Sequence, residues 1–503
     1  MMKKHPHKEI VDCLIIGGGI NGAAIAADAA GRGLSVLLCE QYDLGSGTSN
    51  WSTKLIHGGL RYLEHYDFKM VRHALQERDC LIGRAPHLVK PIAFVLPHQP
   101  HLRPRWMIRL GLFFYDHLAK SKYVQKSCGI DLRKNTTLKS NYPSGFLYYD
   151  CQTQDNKLVI LNALSAKQHG ATILPHTKVQ SARVNNHIWE TTLVNQLTRD
   201  SRVVYSRVII NASGPWMNEV LDKVVPAATN DTVKLVQGSH IVVPKLYDEN
   251  NAYLLQSPDQ RVLFTLPFEK NYTLIGTTDT PIHGCPEKTQ ITKEEIHYLI
   301  ENINTYFKHS IQEKDIVWSY SGVRALHDSD AQSAKNISRD YKLSLHTKNT
   351  PPLVNVLGGK LTTHRKLAEE TMDKLKFAFP KMGPAWTGTK PLPGGDITGH
   401  VEDYLHTCRA QYPWLPKKIL EHYIDHYGTR VHILLDNCHS FSDLGEAYSS
   451  ICYEREIRYL LKHEWARSVE DIIWRRTKHG LHLLPHSVQL IQLYCDEWNE
   501  NHK

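Results

Sequence analysis

Gly17, Gly19 and Gly22 stand in G-x-G-x-x-G spacing between a short apolar run at residues 12–16 and an alanine-rich stretch at 23–32. A second apolar run follows at 34–38, and Glu40 stands just past its end. Each part has a physical use. The first glycine permits a tight turn out of a buried strand, the second lets the backbone approach a pyrophosphate, and the third lets helix and strand pack closely. The helix N-terminus turns free amides toward phosphate oxygens, and a carboxylate after the second strand accepts hydrogen bonds from ribose hydroxyls. The order predicts a strand–turn–helix–strand unit that binds a dinucleotide, and by itself it does not separate NAD from FAD. The next segment does: Gly45, Gly47, Thr48, Ser49, Ser52 and Thr53 form a small, hydroxyl-rich loop that wraps more phosphate and ring edge than NAD needs.

The elements that must position this chemistry belong to an ordinary globular chain. At ~150 residues per domain, 503 residues predict about three domains. With 41% hydrophobic and 22% charged residues, a disordered chain, a collagen, a coiled coil and a polytopic membrane protein are excluded. No run reaches the ~18 apolar residues of a spanning helix. The formal charge of +9 suits an anionic substrate, an anionic membrane surface or nucleic acid, and does not choose among them. The 10 cysteines form no CxxC motif, and HExxH is absent, so a reduced compartment and no structural metal are expected. Cys13 and Cys39 fall in apolar runs, where a thiol packs as a small hydrophobe. Lys3 and Lys4 precede no apolar stretch before Glu9, so no signal peptide is expected.

Longer motifs carry a specific likeness: IIGGGINGAAIAADAAGRGLSV, TKLIHGGLRYLEHY, APHL, VIINASGPW, VQGSHIVVP, LIGTTDT, WSYSGVRAL, SRDY, VLGGKLTTHRKLAE and WRRTKHG. Through them the chain, from about residue 12 to about 480, resembles the flavin-dependent glycerol-3-phosphate dehydrogenases of the membrane-associated aerobic type. These sit in a wider group of FAD oxidoreductases that includes the D-amino-acid oxidases. The resemblance implies an α/β fold in three parts. A discontinuous, Rossmann-like FAD-binding domain spans 8–90, 150–215 and 335–385; a mixed-sheet substrate domain spans 91–149 and 216–334; a C-terminal helical domain spans 390–503. It implies FAD contacts at Gly17, Gly19, Ile20, Asn21, Gly22, Glu40, Thr48, Ser49, Ser52, Thr53, Lys54, Leu55, His57, Gly58, Gly214, Gly359, Leu361 and Thr362, the last three opening a helix over 361–375.

The reaction it implies is oxidation of sn-glycerol 3-phosphate to dihydroxyacetone phosphate by hydride transfer to FAD, with electrons passed to a membrane quinone. A dianionic phosphate calls for forked arginines and for lysine as a point charge. Arg61, Arg324, Arg339 and Lys360 are the expected substrate ligands, with Tyr62 lining the pocket. Removing the hydroxyl proton calls for a base: His240 is the candidate, with Arg324 and Lys360 beside it as catalytic groups, and His57 is the runner-up. Two places depart from the family: Ala325 stands where the family usually has proline, and residues 120–141 match poorly.

Residues 101–120 read as a helix whose Trp106, Met107, Leu110, Phe113, Phe114 and Leu118 share one face, with Arg105, Arg109, Asp116 and Lys120 on the other. Ile108, Leu112 and Tyr115 blur the division. With the resemblance, this is an expected monotopic anchor on the cytoplasmic side of the inner membrane. Beyond a PLPGG linker at 391–395 the chain reads as a small helical domain without chemistry of its own, with Arg475, Arg476 and Lys478 a solvated basic face or one that touches lipid headgroups. A homodimer is left open, and no nucleic-acid partner is expected. Three rivals stand: a same-fold oxidase using oxygen, an amine or amino-acid oxidase, and a non-catalytic membrane-surface protein that keeps FAD for structure.

Overall fold

The computed structural model describes residues 10–99, 103–225, 230–259, 261–282, 284–327 and 340–502. Strand β1 (Ile10–Ile16) has its last four residues buried, as a central parallel strand requires. Helix α1 (Ile20–Gly31) starts three residues before the alanine run because Gly19, in extended conformation, is its N-cap; ten of its twelve residues are buried. Strand β2 (Val36–Cys39) returns parallel to β1. On the other side of β1 lies β3 (Ser201–Asn211), parallel to it and, beyond, to Leu353–Leu357. Thr172–Leu174 extends the sheet beside β2. Antiparallel additions, Lys342–His346 at one edge and two strands beside β3, bring this sheet to eight. Helices α1, Asp155–Gln168 and His364–Lys374 pack on it in one core that includes Ile15, Ala27, Leu38, Val159 and Leu367. Each of the branched side chains among them contributes about 1.5–3 kcal/mol on burial.

The second sheet has ten strands and is mixed. Its functional part is β4 (Val233–Pro244), paired antiparallel along most of its length with β5 (Trp318–His327). Cores on its two faces hold Phe94, Tyr148, Leu266 and Leu274 on one side and Ile241, Val243, Leu299 and Phe307 on the other.

Helix α2 (Arg105–His117) explains why its sequence pattern blurred. Leu112 and Tyr115 are buried, and Ile108 and Leu118 pack beside them on the protein's core. Trp106, Leu110, Phe113 and Phe114 are exposed, Trp106 by 66%. The helix therefore has two apolar faces, one inward and one outward, and Leu118 belongs to the inward one. Among the described residues no helix is long and apolar enough to cross a membrane.

The C-terminal helices enclose a core of their own, with Leu420, Tyr423, Leu460 and Ile472 at 0–1% exposure. The segment at 391–395 is a packed seam. Leu392 is buried and its amide donates to the Arg84 carbonyl at 2.9 Å. The basic run is neither solvated nor available to lipid: Arg476 and Lys478 are buried and Arg475 nearly so. Acids draw the two arginines in, Asp43 for both and Asp471 for Arg475, while Lys478 Nζ donates to the carbonyls of Trp474 (2.6 Å) and Thr477 (3.0 Å). Arg475 and Arg476 both reach Asp43, at 2.8 and 2.6 Å. Alongside, Lys157 pairs with Glu464 at 2.6 Å with both side chains enclosed. Within the C-terminal core, Glu456 accepts from His422 (2.8 Å), Tyr427 (2.6 Å) and His479 (3.0 Å).

Candidate active site

The turn after β1 is built as the glycine spacing requires. Gly17 has φ +107°, and a Cβ there would meet the Ala212 carbonyl oxygen at 2.6 Å. A Cβ on Gly22 would stand 1.9 Å from the Gly17 carbonyl oxygen, so Gly22 is the helix–strand packing position and does not reach the cavity. No side chain caps α1 at Gly19, leaving first-turn amides for a ligand. Ser49 Oγ accepts from the Ile20 amide at 3.0 Å, tying the hydroxyl-rich loop to the helix start. Glu40 accepts from the amides of Gly18 (2.7 Å) and Tyr42 (2.9 Å). Burial raises its pKa, against the pull of those two amides.

A cavity of about 970 Å³ runs from this turn across the second sheet. Its wall includes Gly17, Gly19, Ile20, Asn21, Glu40, Thr48, Ser49, Ser52, Thr53, Leu55, His57, Gly214, Gly359, Leu361 and Thr362, and also Arg61, Tyr62, His240, Arg324 and Lys360. Three residues expected at the cofactor are elsewhere. Gly22 packs as described. Gly58 lies behind the wall, its amide donating to the Tyr115 hydroxyl at 2.9 Å. Lys54 turns into the protein, where its ammonium meets Asp155 at 2.9 Å and the Asn50 carbonyl at 3.0 Å. A buried ammonium needs such a partner, and this one pins the loop that carries Ser52 and Thr53. Arg339 lies outside the described residues.

Period-two geometry aligns the substrate side. In the β4–β5 register His240 faces Tyr320, Gly238 faces Gly322 and Val236 faces Arg324, so Tyr320, Gly322 and Arg324 share one face of β5. The glycines keep that face low. A Cβ on Gly238 would meet the Arg324 guanidinium at 2.5 Å, and one on Gly322 the Trp51 carbonyl oxygen at 2.7 Å. Arg324 pairs with Asp279 and donates to Thr277 Oγ1 at 3.1 Å. Lys360 Nζ lies 4.0 Å from the Tyr62 ring centroid. His240 is buried, its Nε2 3.0 Å from the Thr53 hydroxyl, while Nδ1 has no hydrogen-bond partner. Burial first, then the positive charges of Arg324 and Lys54, hold its pKa well below the ordinary 6.5, so His240 is neutral at pH 7. Thr362 Oγ1 accepts from the His57 amide at 3.1 Å, joining the loop of His57 to the start of the helix after Lys360.

Sequence reasoning missed several groups here. Asp279 and Thr277 were inside the LIGTTDT motif, and Gly238 and Gly322 stand two residues from His240 and Arg324, a spacing that marks one face of a strand. An aromatic stack was also missed. His240 lies on Tyr320 (4.8 Å), Tyr320 on Trp318 (4.9 Å), and Trp318 on Trp474 of the C-terminal domain (4.6 Å). Only the folded chain brings these together.

The wall fits a flavin dinucleotide. Asn21 Oδ1 is buried at the turn without a partner, the N-cap Gly19 has no side chain to cap α1, of whose first amides Ser49 holds that of Ile20, and the cavity continues past the turn into a region with room for a ring system.

Comparison with known proteins agrees. Residues 12–365 match the model of the FAD dependent oxidoreductase family, and 385–498 that of the C-terminal domain of alpha-glycerophosphate oxidase. A glycerol-3-phosphate dehydrogenase of Pseudomonas aeruginosa is 48% identical over 95% of this chain and 94% of its own length. A D-erythritol 1-phosphate dehydrogenase of Brucella abortus is 46% identical over 94% and 95%. The crystal structure of the glycerol-3-phosphate dehydrogenase of Bacillus halodurans, complexed with FAD, has the same fold: TM-score 0.76 over 97% of this chain and 94% of that one, at 24% identity. The chain belongs to the FAD-dependent oxidoreductase family, in the branch that holds the glycerol-3-phosphate dehydrogenases.

Proposed function

We propose that the protein oxidises sn-glycerol 3-phosphate to dihydroxyacetone phosphate. One observation carries this: Arg61, Arg324, Lys360 and a neutral His240 line the same cavity as the dinucleotide turn. The cations bind the dianionic phosphate, Arg324 by its fork and Lys360 as a point charge. Asp279 and Thr277 hold the Arg324 guanidinium in place. The carbinol is then directed toward His240, whose Nε2 takes the hydroxyl proton beside the Thr53 hydroxyl. FAD bound in the cavity supplies the acceptor for the hydride that leaves the carbinol carbon. The phosphate dianion offsets the positive field that lowers the basicity of His240, so the base strengthens when substrate is in place.

The final electron acceptor in this reading is a membrane quinone. The support is the outward face of α2: Trp106, Leu110 and Phe114 are exposed and also line the cavity, so an apolar surface leads into the cavity from outside. Arg105 and Arg109 on the same helix suit anionic headgroups, and in this reading the protein is a monotopic enzyme on the cytoplasmic side of the inner membrane.

The test is an anaerobic visible spectrum of the holoprotein, with glycerol 3-phosphate or D-erythritol 1-phosphate added. Bleaching of the oxidised flavin band by the first at lower concentration supports the proposal. Preference for the second moves the substrate to the four-carbon polyol phosphate, and bleaching by neither removes this substrate class. Reoxidation by a soluble quinone much faster than by oxygen supports the acceptor; the reverse order makes the protein an oxidase.

A further inference from the structure

The C-terminal domain makes buried contact with the loop that flanks the dinucleotide turn. Asp43 is 2% exposed and begins that loop. Arg476 is 1% exposed and grips both carboxylate oxygens, Nη1 to Oδ2 at 2.6 Å and Nη2 to Oδ1 at 2.7 Å. Its Nε and Nη2 also donate to the Glu464 carbonyl at 3.0 and 2.7 Å. Arg475 adds a contact to Asp43 Oδ2 at 2.8 Å. Both arginines sit in the π-helical turn Asp471–Arg476, a widened geometry that is frequent at functional sites.

Past Asp43, residues 45–49 all line the cavity. Several ties hold them besides Asp43: Thr48 Oγ1 donates to the Val323 carbonyl, Trp51 Nε1 to the Ser46 carbonyl at 2.9 Å, and the amides of Asn50 and Trp51 to the carbonyls of Gly47 (3.3 Å) and Thr48 (3.1 Å). The Ser46 amide donates to the Asp43 carbonyl (3.1 Å), the Gly45 amide to the Gly18 carbonyl (3.0 Å), and Ser49 Oγ holds the Ile20 amide at the start of α1. A loop rich in glycine and serine has high conformational freedom to lose, so a fixed point outside it decides how much of that loss binding must bear.

We propose that Arg476 is a positioning residue for the FAD site: by clamping Asp43 it pre-sets the 45–49 loop, so that the C-terminal domain controls how tightly the cofactor is held. Arg476 touches neither cofactor nor substrate, and the proposal rests on FAD and not on the identity of the polyol phosphate. It gives the buried WRRTKHG arginine a use that a solvated basic face lacks.

The experiment compares apoprotein variants by FAD titration, read as flavin fluorescence quenching, and by thermal unfolding without FAD. R476K keeps the charge and loses the fork; D43N changes the same contact from the loop side. The control, K157M/E464Q, removes the neighbouring interdomain ion pair without leaving a lone charge. R476K and D43N should weaken FAD binding about tenfold or more, the loss of one charge-assisted fork. At saturating FAD their KM for substrate should match the native protein. The control should keep native FAD affinity even where its unfolding temperature falls as far. The proposal is overturned if R476K and D43N bind FAD within threefold of native, or if the control loses FAD equally. If R476K yields no folded protein, D43N decides by the same criteria.

Discussion

Replacing His240 by Asn tests the chemical step most directly. Asn keeps a polar group near the Thr53 hydroxyl but has no nitrogen that can take a proton. A positioned general base contributes about 10²–10⁴ in rate, so flavin reduction at saturating substrate should slow by that factor, about 2.7–5.5 kcal/mol in barrier. The structure also sets the pH behaviour. Burial, Arg324 and Lys54 hold the His240 pKa well below 6.5. The active form is neutral, so kcat/KM, corrected for the fraction of substrate present as the phosphate dianion (second pKa about 6), should stay flat from neutral pH down past 6.5 and fall only at lower pH. The Arg324 guanidinium reaches Gly238, two residues and about 7 Å along the strand from His240. At that distance and an effective dielectric near 20, a unit charge is worth at most about 2 kcal/mol. A phosphate seated on Arg324 cancels repulsion of that size, so the acid limb of kcat should lie at higher pH than that of kcat/KM. Anaerobic stopped-flow reduction across pH 5 to 9 measures both limbs. H240N should lose them while binding substrate within about threefold of native. A native reduction rate in H240N, or an acid limb that survives the substitution, would refute the assignment of the base.

Three further outcomes follow from contacts elsewhere in the molecule. Lys157→Met leaves Glu464 enclosed without its cation and should cost about 3–5 kcal/mol of stability, measured by urea unfolding, whereas K157M/E464Q should recover most of it; equal loss in single and double variants would show the pair is not the reason. In the C-terminal core, burial works against the charge of His479, but Cys452 and Glu456 outweigh it and raise its pKa to about 10. Burial works against ionised Glu456 too, and His422 and His479 outweigh it and hold its pKa well below 4.5. The His479 contribution is therefore full below pH 6.5 and lost as pH rises through about 10, while that of Glu456 is present above pH 4.5 and lost as pH falls further. Melting scans should show highest stability near pH 5 to 6, and E456Q should lower the melting temperature and flatten the alkaline decline. Phe113→Asp, on the outward face of α2 and 48% exposed in the native protein, should reduce co-sedimentation with anionic vesicles several-fold and leave anaerobic reduction by substrate unchanged; unaltered sedimentation would remove this face as the membrane contact.

The parts of the site that were legible in the sequence are those whose chemistry is local. The glycine turn, α1 and Glu40 follow one another within 24 residues, Gly17 to Glu40, and their geometry depends on neighbours in the chain. The likeness to the glycerol-3-phosphate dehydrogenases added Arg61, His240, Arg324 and Lys360, which the fold gathers from separate elements. What stayed hidden depends on where a side chain turns. Lys54 stands between residues that line the cavity, yet its ammonium points away because Asp155 offers a buried partner. Composition cannot tell an inward lysine from an outward one. Arg476 was misread for the same reason, since a basic run is solvated unless an acid far along the chain is buried beside it, and Asp43 is more than four hundred residues away. The blurred pattern of α2 had a physical cause as well: a helix with apolar residues on two faces has no single stripe for a 3.6-residue period to reveal.

These misreadings share a direction. The two misread cations, Lys54 and Arg476, each left solvent to meet a carboxylate far along the chain, and each such meeting stands directly behind a cavity-lining loop. Lys54 and Asp155 back residues 52–53, Arg476 and Asp43 back residues 45–49, and Lys478 is buried close to the Lys54–Asp155 pair, where burial and the charge of Lys54 lower its pKa to about 7. Buried ion pairs are a poor source of net stability, because desolvation consumes most of the attraction. They are a good source of fixed geometry, because breaking one strands a charge. A site that must hold a large cofactor between thin, glycine-rich loops needs that second property more than the first. The C-terminal domain, which places no residue on the cavity wall among the described residues, then acts on the chemistry by fixing the loops from behind.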